Sequence, residues 1–228
     1  MEQDVYTRTT FLIKKGNIPR KEQESFCHLH KIEITVKPEG RQKGYPSFID
    51  FDQLKGRIHR MRNELEAVIL GQEHSPYRNI ALKAYETLGK NKARSTMGVM
   101  QRFDATLPGY YGPKGASIIL RELQKLFINT NYLTKDMTKP QLPLEYMQQV
   151  LLPEVGYRLI KQDLTDRQSS NDGRDITQQA MDVMQESTEY GNMMYPDAHE
   201  PSAHEDKDDD DGDQDDQSEA SFDSSAED

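Results

Sequence analysis

Two side chains near the N-terminus have the types and the spacing of metal ligands. Cys27 and His30 form a Cys-x-x-His pair, and Zn²⁺ in proteins binds thiolate and imidazole groups in tetrahedral sites. The pair supplies only half of such a site, and the sequence has no second cysteine. His28, His59, His74 or a carboxylate would have to complete it. We therefore expect no cofactor, with Cys27 as a buried thiol and His30 as a hydrogen-bonded histidine. Structural zinc at this half-site is the alternative.

Other catalytic patterns are incomplete. No orienting partner or oxyanion-hole pattern accompanies the cysteine and histidine, as a nucleophilic pair would require. Gly89-Lys90 lacks the other residues of a P-loop, and Gly112-x-x-Gly115 lacks the strand, loop and helix of a dinucleotide site. We predict that the protein is not an enzyme, and an uncharacterised enzyme is the less favoured alternative.

Basic side chains gather in one predicted helix. Arg57, Arg60 and Arg62, with Lys55 before them, could contact phosphates. Two glutamates follow closely and dilute this charge, so a solvated helix face is the competing interpretation. Direct binding of nucleic acid is therefore an alternative function.

Charge divides the chain into two parts. The net charge is −10, but residues 197–228 contain 15 acidic residues and Lys207 as their only base, which leaves residues 1–196 at +4. Self-repulsion and few apolar residues predict that this acidic tail is disordered. Such a tail can bind basic partners such as histones or simply keep the protein soluble.

Several protein classes are disfavoured. No stretch approaches the roughly 20 apolar residues of a membrane span, and the N-terminus has no signal-peptide core. We therefore expect no membrane partner. The single cysteine is consistent with a reducing compartment.

Helical periodicity dominates the middle of the chain, where apolar residues recur at three- and four-residue steps. Six helices are predicted from Asp50 onward. The first begins at Asp50, and the others run from Ser75-Pro76 to Gly89, over Thr96–Phe103, from Pro113 to about Asn129, from Pro143 to about Leu164, and over 176–190, the last as an amphipathic helix. Pro153 lacks the N–H for a helical hydrogen bond and predicts a kink or a break.

Residues 23–37 fit two structures. Ile32, Ile34 and Val36 alternate with polar residues as in a strand, whereas residues 23–33 fit a helix, which we favour. Pro38-Glu39-Gly40 and Gly44-Tyr45-Pro46 predict turns.

The fold class predicted from these patterns is mainly α, with a single compact multi-helix domain and a disordered acidic C-terminal tail. The predicted organisation is an N-terminal arm over 1–21, the domain over 22–165, a linker and amphipathic helix over 166–191, and the tail over 192–228.

Several segments, in order, resemble the C-terminal domain of the fungal restriction of telomere capping protein 4 family. The most specific are Gly-Tyr-Tyr-Gly-Pro at 109–113 and Val-Leu-Leu-Pro-Glu at 150–154, and Phe-Cys-His-Leu-His at 26–30 is another. The resemblance covers about 22–165. Relatives commonly carry a further Cys-x-x-Cys pair upstream that would complete a zinc site, but residues 1–26 contain no cysteine.

The resemblance implies a role in a process influencing telomere capping, a location in nucleus and cytoplasm, and no catalytic mechanism. We expect a non-enzymatic interaction protein with unknown protein partners. A nucleic-acid- or histone-binding chromatin-associated protein is the alternative. The candidate contact residues are those of the family turn and the basic face: Tyr110, Tyr111, Gly112, Pro113, Lys114, Arg57, Arg60 and Arg62. A tight turn that packs Tyr110 and Tyr111 is the competing interpretation of the family turn.

Overall fold

The protein is mainly α-helical. The computed structural model describes residues 19–103, 106–167 and 175–197, and every regular element in these ranges is a helix. None of the described helices is long and apolar enough to cross a membrane. The predicted acidic tail beyond Asp197, most of the N-terminal arm and most of the linker lie outside the described residues.

The α-helices are α1 (Arg20–Lys31), α2 (Lys37–Gln42), α3 (Leu54–Arg60), α4 (Arg62–Leu70), α5 (Pro76–Arg94), α6 (Thr96–Phe103), α7 (Gly112–Leu123), α8 (Lys135–Thr138), α9 (Pro143–Tyr146), α10 (Leu152–Arg167), α11 (Ile176–Glu186) and α12 (Thr188–Met194). Short 3₁₀ turns at Phe51–Gln53 and Gly109–Tyr111 precede α3 and α7, and π-helical segments at Ile32–Val36, Gln124–Ile128 and Met147–Leu151 continue α1, α7 and α9.

The N-terminal segment is helical where alternation suggested a strand. A π-helical segment joins α1 to α2, so the favoured helix is confirmed and the alternative strand over 31–37 is wrong. Ile32 and Val36 are buried one helical turn apart, whereas Ile34 is 61% exposed. The turn predicted at Pro38-Glu39-Gly40 is also wrong, because these residues lie in α2.

Two prolines lie inside long helical stretches, each shortly after a π-helical segment. Pro38 and Pro153 both stand two residues after such a segment ends. Within these segments the hydrogen bonds reach one residue further, from Lys37 N–H to the Ile32 carbonyl and from Leu152 N–H to the Met147 carbonyl. In both places the wider turn precedes a proline, which has no backbone N–H to donate to a helical hydrogen bond. The helical path therefore continues through Pro153, so of the predicted kink or break the break is wrong.

Local capping signals place the helix starts as predicted. The Asp50 carboxylate accepts a hydrogen bond from the Asp52 N–H at 3.1 Å, and the Ser75 hydroxyl accepts one from the Arg78 N–H at 3.2 Å. Gly89, with φ of 73°, interrupts the helical backbone inside α5 at the predicted stop. These side chains satisfy N–H groups that helix ends leave without partners.

The core extends beyond the predicted domain. Buried residues of α3, α4, α7 and α10 form its centre, and Ala180, Met184 and Tyr190 from α11 and α12 belong to the same apolar cluster. The boundary expected at residue 165 therefore falls inside the packed core, and α12 continues past the expected start of the tail at 192.

Glycines allow the 109–112 turn to touch α12 through backbone alone. Gly109 and Gly112 have positive φ angles of 58° and 62°. A Cβ at Gly112 would lie 2.2 Å from the Gly191 carbonyl oxygen, and one at Gly191 would lie 2.2 Å from the Gly109 carbonyl oxygen. Any larger residue at these positions would separate the turn from the helix.

Candidate functional site

The two tyrosines of the 109–112 turn are core residues and not a contact surface. Tyr110 and Tyr111 are each 1% exposed. Their hydroxyls donate hydrogen bonds to Asp163 Oδ2 on α10, at 2.7 and 2.5 Å. Burial raises the pKa of both phenols well above the ordinary value, so both keep the protons that they donate.

Arg57 also points inward, contrary to its expected place on an exposed basic face. Its Nη2 atom donates to Asp163 Oδ1 at 2.8 Å and to the Leu159 carbonyl at 3.0 Å, and its Nη1 atom donates to the Tyr111 hydroxyl at 3.0 Å. These bonds tie α3 to α10 and to the turn before α7. The most specific family segment is therefore part of a structural polar network.

The remaining predicted contact residues differ in exposure. Gly112 is buried and Pro113 half-buried, whereas Lys114 is exposed with its Nζ atom 4.5 Å from the centre of the Phe51 ring. Arg60 and Arg62 are exposed, and Arg62 pairs with a glutamate one turn later at 2.7 Å. Lys114, Arg60 and Arg62 are the members of the predicted set that solvent reaches freely.

The predicted zinc half-site lies on the surface of α1. Cys27 and His30 are both exposed, which corrects the expectation of a buried thiol. The His30 ring stacks on Phe26 with 5.9 Å between ring centres. Within residues 19–103, 106–167 and 175–197, no group of three or more His, Cys, Asp or Glu side chains is placed to hold a metal ion.

A cavity of about 670 Å³ opens where the α4–α5 connection faces α10 and α11. Its lining includes three acidic side chains near solvent, Glu64, Glu73 and Asp166, together with Arg158 and Lys161. We call this cavity the acidic cleft. Its size is in the range of small-molecule and cofactor sites.

Arg158 is the centre of the acidic cleft and pairs with three carboxylates. Its Nε atom donates to Glu154 Oε1 at 2.9 Å, its Nη2 atom to Glu73 Oε1 at 2.7 Å, and its Nη1 atom to Glu64 Oε2. Glu154 is 1% exposed and also accepts a bond from Ser75 Oγ at 2.7 Å. Burial raises the Glu154 pKa, and the bonds from Ser75 and Arg158 offset only part of this.

The charge balance of the acidic cleft favours cations. Three of the five N–H donors of Arg158 already serve carboxylates and the side chain is only 11% exposed, so an anion in the cleft has little access to it. Lys161 lies 5.8 Å from the Tyr157 ring centre and donates to Thr177 Oγ1 at 3.2 Å. Glu64 and Glu73 use only one oxygen each toward Arg158, which leaves acidic groups at the opening.

A second charged cluster has the opposite arrangement. Glu122 on α7 is buried, and basic groups surround it: Lys125 Nζ at 2.7 Å, His59 Nε2 at 3.2 Å and Arg121 Nε at 3.6 Å. Lys55 lies close enough for its charge to act on the same carboxylate. We call Lys55, His59, Arg121 and Lys125 the basic surface.

The cations of the basic surface keep Glu122 ionised. Burial alone would raise its pKa, but the hydrogen bonds from Lys125 and His59 and the nearby charges outweigh burial and lower the pKa below the ordinary value. Glu122 is 2% exposed, whereas Lys125 and Arg121 are 49% and 64% exposed. Solvent and ligands therefore meet the cations first.

Sequence reasoning missed the buried carboxylate of each cluster, although a signal existed for both. Glu122 occupies an apolar face of α7, between the buried Ile119 and Leu123. Glu154 ends the Val-Leu-Leu-Pro-Glu segment, inside a run of buried residues on α10. A carboxylate at a core position requires a buried partner.

Comparison with known proteins gives one family. The sequence profile described as RTC4-like domain matches residues 70–196. The match begins later and extends further than the expected 22–165, and it includes α11 and α12. No curated protein and no solved structure matches the chain.

Proposed function

Because this chain belongs to the RTC4-like domain family, we propose that it is a non-enzymatic interaction protein in a process that influences telomere capping. We also propose that it acts in the nucleus and cytoplasm through protein partners. The family supports the telomere-related role, and the acidic cleft is the observation that supports binding of a protein partner.

The acidic cleft has the properties of a preformed binding site. Arg158 is only 11% exposed and holds carboxylates from three places in the chain in fixed positions. A ligand that binds there therefore meets groups that are already ordered, which reduces the entropy cost of binding. Tyr157, Pro76 and Met181 add apolar surface to the same lining.

The charges of this cleft select the class of partner. Glu64, Glu73 and Asp166 lie at its opening and would repel the phosphates of a nucleic acid. A lysine or arginine side chain can instead pair with these carboxylates while its aliphatic part packs on the apolar wall. The partner that fits is a protein segment with exposed basic residues.

The same groups favour binding over catalysis. Glu154, whose pKa is raised, lines the cleft but is only 1% exposed, so the protein shields most of its carboxylate from a ligand there. Glu64 and Glu73 each use one oxygen for an ion pair with Arg158, which leaves the other oxygen to accept a hydrogen bond from a basic ligand. These contacts support a recognition role for the charged residues of the cleft.

Site-specific photo-cross-linking of the full chain in cells tests this function. A photoreactive residue at Thr165, on the rim of the acidic cleft, should capture a protein through a lysine- or arginine-rich segment. The same residue at Glu86, an exposed position on α5 outside the cleft, is the matched control and should not capture it. Identical products from both positions would contradict the proposal.

A charge reversal at the opening of the acidic cleft tests whether the cleft acts in telomere capping. Asp166→Lys places a positive charge at the opening without removing an Arg158 partner, so it should abolish the specific cross-link and alter telomere capping. Glu86→Lys makes the same charge change elsewhere and should alter neither. Normal capping with a lost cross-link would show that the cleft binds a protein unrelated to this process.

A further inference from the structure

The basic surface is separate from the acidic cleft and from the family's proposed role. Its basic residues come from two helical stretches. Lys55 and His59 lie one turn apart on α3, whereas Arg121 lies on α7 and Lys125 lies one turn later, in the π-helical segment that continues α7. Each pair is about 6 Å apart along its helix axis. Four groups on two rows cover more area than a single phosphate can contact.

Glu122 organises this surface and does not neutralise it. Three permanent cations and one carboxylate leave a net charge of +2 even with His59 neutral. The buried Glu122 carboxylate pairs with Lys125 and Arg121, whose side chains are 49% and 64% exposed. The cation heads are therefore held in place and remain accessible to a ligand.

We propose that the basic surface binds the phosphate backbone of a nucleic acid. A nucleic acid carries a charge at every nucleotide step, about 3.4 Å along each strand, so it can engage both rows at once. The contacts would go to phosphates and not to bases, which implies binding without sequence preference. An acidic protein segment is the competing ligand, and the experiment distinguishes it.

The test measures binding of the full chain to fluorescent single-stranded and duplex DNA by anisotropy, at low and then rising salt. The double variant Arg121→Gln with Lys125→Gln should weaken binding about 10-fold or more, and the slope of log affinity against log salt should become shallower by about 2. Both side chains are exposed, so a cooperative thermal unfolding transition only slightly below that of the unmodified chain should verify that the variant is folded.

A matched control removes two exposed lysines elsewhere. Lys83→Gln with Lys135→Gln changes the net charge by the same amount and should leave affinity and salt slope unchanged. An equal loss in this control would overturn the proposal, because the attraction would then be a property of total charge.

Two further results would also overturn it. The chain's net charge of −10 opposes any polyanion, so binding is repeated in a full-length variant with Asp208, Asp209, Asp210 and Asp211 changed to Asn. Absence of binding at low salt in both backgrounds rejects the site. Displacement of DNA by polyglutamate at the same charge concentration would assign the surface to an acidic protein instead.

Discussion

The acidic cleft and the basic surface are charge-reversed versions of one arrangement. In the first, a guanidinium stands among three carboxylates; in the second, a carboxylate stands among three basic groups. Both central groups are largely buried, and most of their partners reach solvent. A buried charge thus fixes the positions of exposed charges of the opposite sign.

The two clusters differ in how many charges they bury. The acidic cleft buries Glu154 as well as Arg158, whereas every basic partner of Glu122 is at least 42% exposed. An exposed partner regains water when the central group is removed, but a buried partner cannot. The cleft should therefore depend more strongly on its central residue.

The largest effect is expected from Arg158→Met. Removing the guanidinium leaves Glu154 buried without a cation, so the free energy of unfolding at neutral pH should fall by about 3–5 kcal/mol. Urea denaturation measures the change. Arg60→Met, at an exposed arginine, should stay within about 0.5 kcal/mol. An Arg158→Met loss as small as the one expected for Arg60→Met would show that the Arg158 cluster does not support the fold.

A smaller effect is expected from Glu122→Gln. The variant removes the charge but leaves partners that water can solvate, so the loss should be about 1–3 kcal/mol by the same measurement. A loss as large as that of Arg158→Met would invalidate the proposed difference between the clusters.

The pH dependence of the two glutamates should have opposite signs. Glu122 has a lowered pKa, so its stabilisation is present above the pKa of the unfolded chain and disappears as pH falls through the folded value. Glu154 has a raised pKa, so its ionisation costs stability as pH rises from the unfolded through the folded value.

The two Gln variants report this contrast. From acidic to neutral pH, Glu122→Gln should lose stability relative to the unmodified chain, and Glu154→Gln should gain it. Urea midpoints across this range measure both trends. Parallel trends would mean that one of the carboxylates has the opposite pKa shift.

The smallest effect is expected from Lys125→Met. This lysine is half exposed, so its ion pair with Glu122 should contribute about 1 kcal/mol or less to stability, and less at high salt. Thermal unfolding at low and high salt measures it. A larger, salt-independent loss would indicate that Lys125 packs as part of the core.

Features set by neighbouring residues could be predicted from sequence. The bounds of α6 agree with the predicted Thr96–Phe103, and the Ser75 cap that starts α5 is formed as expected. The apolar positions of α11 were also predicted, including Ala180 and Met184. Each of these depends on contacts within a few residues along the chain or on helical periodicity.

Features that depend on distant residues were not predictable in this way. Tyr110, Tyr111 and Arg57 are residue types common at interfaces, and the local sequence does not show which distant residue would bind them in the core. Their burial depends on Asp163, which is 106 positions from Arg57 in sequence. Likewise, Ile32, Ile34 and Val36 fit a strand or a helix until the core shows which two of them are buried.

The π-helical segments before Pro38 and Pro153 also affect how these regions tolerate insertion and deletion. A π-helical turn holds one residue more than an α-helical turn, so the helix faces before and after it stay aligned although the sequence pattern of each face is shifted by one residue. Deleting one residue within Ile32–Val36 or Met147–Leu151 would convert the π-helical turn into a regular α-helical turn and leave the following side chains on their present faces. These two places should therefore tolerate the loss of one residue better than a regular α-helical turn, where a deletion rotates every following side chain by about 100°.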